Sequence, residues 1–145
     1  MRRFNVVFIL LASCIPGPLV ANAALHRRFE YEAMRGMVKI VRQFIERGID
    51  INATDALVRA ADWNRVEVIE LLLAQPHINI NKADIYGRTP LFIAAERGYA
   101  HVVELLILAG ADVDKADSYG RIPWYVAHSN GHFMISTMLI YSAKT

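Results

Sequence analysis

The sequence predicts an all-α solenoid of four helix-turn-helix repeats with short β-hairpin fingers, preceded by a signal peptide. Three observations carry that prediction. The first is self-similarity. A shift of 33 residues lays Asp84, Gly87, Pro90, Ala94 and Gly98 on Asp117, Gly120, Pro123, Ala127 and Gly131. A shift of 34 sets Leu57 on Leu91, Ala60-Ala61 on Ala94-Ala95, and Val68 to Leu72 on Val102 to Leu106. A shift of 62 sets Arg35-Gly36 on Arg97-Gly98 and Arg47 to Asn52 on Ala109 to Asp114. The second is punctuation: Thr89-Pro90 starts a helix, since the hydroxyl accepts from an orphan N–H and proline at the first position gives up none that was needed. Gly98 then ends it in the left-handed conformation. The third is size, because one such unit cannot bury its own apolar faces and must share a core with its neighbours.

The unit from Asp84 to Ala116 shows the pattern most completely. Asp84-Ile85-Tyr86-Gly87 is turn chemistry, Leu91 to Arg97 a short helix, and Val102, Val103, Leu105, Leu106 and Ile107 the apolar residues of a second helix ending at Gly110. Thr89-Pro90-Leu91-Phe92-x-Ala94-Ala95-x-x-Gly98, followed by Val102-Val103-x-Leu105-Leu106-x-x-x-Gly110-Ala111-Asp112-Val113, closely resembles the ankyrin repeat. The resemblance runs over about residues 25 to 143 and divides them into units at about 25–53, 54–83, 84–116 and 117–145.

In chain order, residues 1–23 come first. Met1-Arg2-Arg3 is positive, Val6 to Ile15 is apolar, Pro16-Gly17-Pro18 breaks any helix, and Ala21-Asn22-Ala23 is an A-x-A site. That is the plan of a signal peptide cut after Ala23, leaving a mature domain of 24–145. The two prolines interrupt the span before the ~20 apolar residues that a membrane helix needs. A competing expectation lies inside it: Leu11-Ala12-Ser13-Cys14 resembles a bacterial lipobox, which would lipidate Cys14 and anchor the chain to a membrane.

In the first unit, Glu32 stands where the resemblance implies alanine, and it reads as part of a polar cap on the terminal repeat. The second unit lacks a finger, so Thr54 or Asp55 must cap its first helix, while Asn64 replaces the turn glycine because asparagine tolerates the left-handed conformation. Pro76 marks the end of its second helix, and the loop from Gln75 to Asn81 has one extra residue. In the fourth unit Ile122 replaces the capping threonine, at a cost of ~1 kcal/mol. Its last helix, with Phe133, Met134, Ile135, Met138, Leu139, Ile140 and Tyr141, is apolar almost all round. Either that face docks on a partner or on a second copy, or it is an imperfectly capped end that frays.

Composition narrows the function. The formal charge of +2 comes from Arg2 and Arg3; without those two of the 16 basic residues, 14 basic and 14 acidic residues cancel. No basic stripe exists for nucleic acid. Cys14 is the single cysteine, so neither an internal disulfide nor a cysteine-based zinc site is available. His128 and His132 have a spacing that could place two metal ligands on one helix face. Gly131 ends the helix between them; a metal-dependent hydrolase using this pair is the alternative from a different class. The glycines fall at punctuation points and form no phosphate loop; Glu67 and Glu70, or Asp112 and Asp114, belong to solvated faces and loops. Asn52-Ala53-Thr54 fits a glycosylation acceptor and reads as loop. No cofactor and no catalytic residue is expected.

Recognition remains. The resemblance implies that finger tips and the exposed faces of the first helices meet a protein partner. Carried over by position, these are Arg59, Asp62 and Trp63; Ile85, Tyr86, Arg88, Ile93, Glu96 and Arg97; and Ser118, Tyr119, Arg121, Val126, Ser129 and Asn130. Both fingers present Tyr-Gly-Arg, and tyrosine, arginine and tryptophan are enriched at interface hot spots. The expected function is non-enzymatic protein binding outside the cytoplasm, as a periplasmic accessory or inhibitory protein. The alternative is a secreted or lipid-anchored effector acting on a host protein.

Overall fold

The computed structural model describes residues 18–143; the expectations for the leader, Cys14 included, lie outside them except from Pro18 onward. Eight α-helices and one 3-10 turn follow one another: α1 Pro18–Arg35, α2 Val38–Glu46, the turn Ile51–Ala53, α3 Ala56–Asp62, α4 Val66–Leu73, α5 Pro90–Arg97, α6 Ala100–Leu108, α7 Pro123–Ser129 and α8 Phe133–Ser142. The described residues contain no strand, so each finger is a tight turn rather than a paired hairpin. None of these helices is long and apolar enough to cross a membrane. The expected cut after Ala23 falls inside α1, whose residues Asn22 to Leu25 are exposed.

The helices form two layers. In one, α1 packs on α3, α3 on α5 and α5 on α7; in the other, α2 packs on α4, α4 on α6 and α6 on α8. Each unit is closed by the same turn. Gly36, Asn64, Gly98 and Gly131 have φ of 76°, 53°, 82° and 79°, as the left-handed punctuation requires. The residue after each donates its N–H back across the turn: Met37 to Glu32, Arg65 to Ala60, Tyr99 to Ala94 and His132 to Ala127, at 2.8–3.0 Å. These bonds satisfy carbonyls left over at the end of the first helix. The four units are one local structure repeated.

What they share is the core. One contiguous cluster runs from Phe29, Val41 and Phe44 through Leu57, Val68, Ile69 and Leu72, then Leu91, Val102, Val103 and Leu106, to Ile135 and Leu139. A smaller second cluster, Val58, Phe92, Ile93 and Val126, lies along the α3–α5–α7 layer. Loop side chains add links between units. Asn52 donates from Nδ2 to the His77 carbonyl and accepts from the Asn79 N–H, while Asn81 accepts from the Asp112 N–H, at 2.8 Å in each case. The extra residue of the second unit's loop is accommodated where His77 takes a left-handed φ of 66°.

Two irregular units depart in instructive ways. In the second, Thr54 Oγ1 accepts weakly from the Ala56 N–H at 3.4 Å, and Asp55 makes no capping bond. The Asp55 carboxylate instead pairs with Lys82 at 3.1 Å, and its own N–H is taken by Glu30 from the preceding unit. In the fourth, Ile122 caps nothing, as its side chain dictates. Glu32 corrects the sequence reading. It does not face water as a cap; it is 8% exposed, and its Oε2 has no partner among the described residues. The equivalent positions, Ala60, Ala94 and Ala127, are fully buried, so Glu32 inherits an inward-facing site. An unsatisfied buried polar group costs about 1–3 kcal/mol. Glu32→Ala is therefore expected to raise the free energy of urea unfolding by that amount; unchanged or lower stability would mean the carboxylate is satisfied in solution.

Candidate partner-binding face

The fingers are built from one acid each. Asp84 Oδ1 accepts from the N–H groups of Tyr86 (2.9 Å) and Arg88 (3.0 Å), while Oδ2 takes both Nε and a terminal nitrogen of Arg88 at 2.9 and 2.8 Å. The second finger repeats this: Asp117 Oδ1 accepts from Tyr119 and Arg121 N–H at 2.9 Å, and Oδ2 holds the Arg121 fork at 2.9 and 2.7 Å. A planar guanidinium matched to a carboxylate fixes the loop in direction as well as distance. Burial alone pushes the Asp117 carboxyl up; the N–H and guanidinium of Arg121 and the N–H of Tyr119 outweigh it, holding the group below its ordinary range. The two fingers are also tied together, since the Ser118 N–H donates to the Tyr86 carbonyl at 2.9 Å.

The consequence is a sorting of the expected contact residues. Arg88 and Arg121 are clamps of their own fingers, and Glu96 lies between them at 3.6 and 3.9 Å. The Arg121 guanidinium also covers the Phe92 ring, 5.5 Å from its centroid. Asp62 pairs with Arg97 at 2.7 Å, and this hydrogen bond and charge hold the Arg97 guanidinium above its ordinary value. Asn130 donates to the Glu96 carbonyl at 2.9 Å. Asp62, Glu96, Arg97, Arg121 and Asn130 thus join one unit to the next, while the ion pairs of Arg88 stay within the third unit. Ile93 and Val126, at 1% and 4% exposed, belong to the second apolar cluster, which corrects their reading as exposed contacts. Ile93 serves as floor instead: it lines a groove of about 290 Å³ with Val58, Arg59, Asp62, Ile85 and Tyr86.

What stays presented to solvent is largely apolar and aromatic. Ile85 is 86% exposed, Tyr119 75%, and Trp63 and Tyr86 about half exposed; Arg59, Ser118 and Ser129 are exposed beside them. Tyr86 and Tyr119 lie under their own fingers' arginines, 5.3 and 5.4 Å from guanidinium carbon to ring centroid. The tyrosines thus come with their orientation set in advance. The sequence offers both arginines to a partner; in the structure each is held by the acid of its own finger. The spacing of acid and arginine four residues apart in both fingers was the available signal for the clamp.

The histidine pair does not assemble a metal centre. The His128 ring stacks on Trp124 at 5.3 Å, while His132 Nε2 sits 3.2 Å from the Glu96 carbonyl. Among the described residues, no group of three or more potential ligands gathers anywhere.

A stack of two-helix units presenting rigid loops defines a class of helical repeat protein that works by surface recognition. The family model for ankyrin repeats (3 copies) matches residues 57–145, and the chain belongs to the ankyrin-repeat family. The first unit lies outside the matched span, yet α1 packs on α3 as α3 packs on α5. Three curated relatives illustrate the range. A mouse "Protein fem-1 homolog A-like" is 33% identical over 61% of this chain and 14% of its own length. An Arabidopsis thaliana "E3 ubiquitin-protein ligase XBAT33" is 33% identical over 59% and 17%. An Escherichia coli "Putative ankyrin repeat protein YahD" is 47% identical over 30% and 21%. The chain thus spans about a fifth or less of the length of these relatives. What it shares with them is ankyrin repeats, a general protein–protein interaction module without chemistry of its own.

Proposed function

We propose that this chain captures a partner protein outside the cytoplasm through its two finger tips and the groove floored by Ile93, as an accessory or inhibitory protein of the periplasm or as a secreted protein. The observation that carries the reading is the Asp–Arg clamp under each finger, which fixes Tyr86 and Tyr119 before any partner arrives. Preorganised aromatic side chains lose little freedom on binding, so their contact area converts efficiently into affinity. The leader supports export, with Ala24 as the mature N-terminus. Lipidation at Cys14, and a role as an anchored or secreted effector on a host protein, is the second reading, favoured by the Leu11-Ala12-Ser13-Cys14 motif.

The test is affinity capture from periplasmic extract with the wild-type protein and with the Tyr86→Ala, Tyr119→Ala double variant, which leaves both arginine clamps in place. A partner retained by the wild type and weakened at least about tenfold by the double variant, at unchanged helicity, is the expected result for two hot-spot aromatics. Undiminished capture would move the interface off the fingers. The intact mass of the exported protein should correspond to a chain beginning at Ala24; a diacylglycerol-bearing Cys14 would establish the anchored reading in its place.

A further inference from the structure

The second helix of every unit turns a row of residues outward at matching positions. In α2 the row is Lys39, Arg42 and Glu46; in α4 and just past its end it is Glu67, Glu70 and Ala74; in α6 it is His101, Glu104 and Leu108, and all of these are exposed. In α8 the same positions hold Met134, Thr137 and Tyr141. Its first position is charged or polar three times and apolar the fourth, whereas its third is already apolar at Leu108, which is 79% exposed. Phe133 and Ile140 continue it round the helix, and the five positions fall within about a third of a turn of an α-helix with 3.6 residues per turn. Phe133, Met134, Ile140 and Tyr141 are 62%, 66%, 42% and 68% exposed.

The neighbouring helix extends the surface. Tyr125 of α7 is 52% exposed at the position equivalent to Phe92, which in the third unit is fully buried with Arg121 of the next unit over its ring. His128 bridges the two helices, stacked on Trp124 and edge-on to Phe133, both at 5.3 Å. From Ile122 to Ala143 there is no Asp, Glu, Lys or Arg.

We infer that this face, Tyr125 with the α8 stripe, joins two copies of the chain tail to tail about a two-fold axis. Charge selects the second copy in that orientation. An isologous contact sets this surface against itself; its α8 stripe carries no charge to repel its copy, and Arg121 borders it only at the Tyr125 edge. A head-to-tail arrangement would set it against the opposite end of the stack, where Arg27 and Arg28 are exposed, and it offers no acid to either. Area is sufficient. At roughly 200 Å² for a large side chain, the exposed fractions of Tyr125, Phe133, Met134, Ile140 and Tyr141 amount to about 500–600 Å² per copy. Two copies bury about 1,100 Å², just above the ~1,000 Å² of a specific interface. An interface of that size belongs with the weak, transient ones. Tyr125 shares a shallow pocket with Gly120 and Arg121 of the second finger, so the α8 variants, which alter neither finger, test the dimer separately from the partner-binding reading.

Sedimentation velocity of the full chain between about 1 and 500 µM tests it. The expected result is a concentration-dependent rise from one to two chain masses and no further. Phe133→Lys and Ile140→Lys should each raise the dissociation constant at least tenfold, while Ile85→Lys, on a distant finger tip, should leave it unchanged. Helicity measured alongside identifies a variant that fails to fold, and Thr137→Arg on the same exposed stripe then takes its place. A monomer throughout, growth past two copies, or a dimer indifferent to the α8 variants would overturn the inference. So would a monomer that floats with phosphatidylcholine vesicles, since the face would then be a lipid-binding one.

Discussion

Leu106→Ala is expected to lower the free energy of unfolding by about 2–5 kcal/mol, the range for truncating a fully buried leucine. The upper half of that range applies because of where Leu106 sits. It is fully buried in α6, the second-layer helix held between α4 and α8, and it belongs to the cluster that spans all four units. A cavity there is walled by neighbours on both sides, and neither can close on it without losing register with its own first-layer helix. The loss should appear as a shift of the urea midpoint with the slope preserved, because the surface exposed on unfolding hardly changes. A loss under about 1 kcal/mol would fall outside the buried-leucine range and place that position outside the shared core.

Gly98→Ala should be the next most damaging change. The backbone there has φ of +82°, and an added Cβ would stand 2.5 Å from His132 Cε1 and within 3 Å of both ring nitrogens. Two costs therefore combine. A side chain in the left-handed conformation costs about 1–2 kcal/mol. Moving the imidazole aside also gives up its contact with the Glu96 carbonyl, about 0.5–1.5 kcal/mol for a hydrogen bond. Gly110 separates the two, since it has φ of +87° and nothing within 4 Å of an added Cβ. Denaturant titration of both variants should show Gly98→Ala losing clearly more than Gly110→Ala. Equal losses would mean that His132 moves aside freely and does not tie the third unit to the fourth.

Much of this architecture was legible in the residues because repeat punctuation is local chemistry. Thr89 does accept from the Phe92 N–H at 3.1 Å with Pro90 behind it, and Gly98 and Asn64 do take positive φ. Register then made each unit's burial readable from its neighbours. The same register misled at Glu32, where a charged side chain was taken to mark a watery surface although the matching alanines lie inside. It was also silent on where a long side chain turns. Arg88 and Arg121 had equal reach outward to a partner or back to the acid four residues earlier, and only the turn geometry decides for the acid. The resemblance carries Ile93 over as an exposed contact, but it packs into the cluster of Val58, Phe92 and Val126. The fingers have too few flanking residues to build a ladder, hence turns without strands.

The four units hold one another up through one contiguous core. The chain's two tryptophans, Trp63 and Trp124, lie in the second and fourth units, on either side of the unit that contains Leu106. Urea unfolding of Leu106→Ala, followed by fluorescence in paired variants that keep one tryptophan and carry Phe at the other, reads the two flanks separately. A core shared by all four units predicts that both reporters shift to lower urea together and stay coincident. A shift of one reporter with the other unmoved would show units folding on their own, and would contradict the shared core.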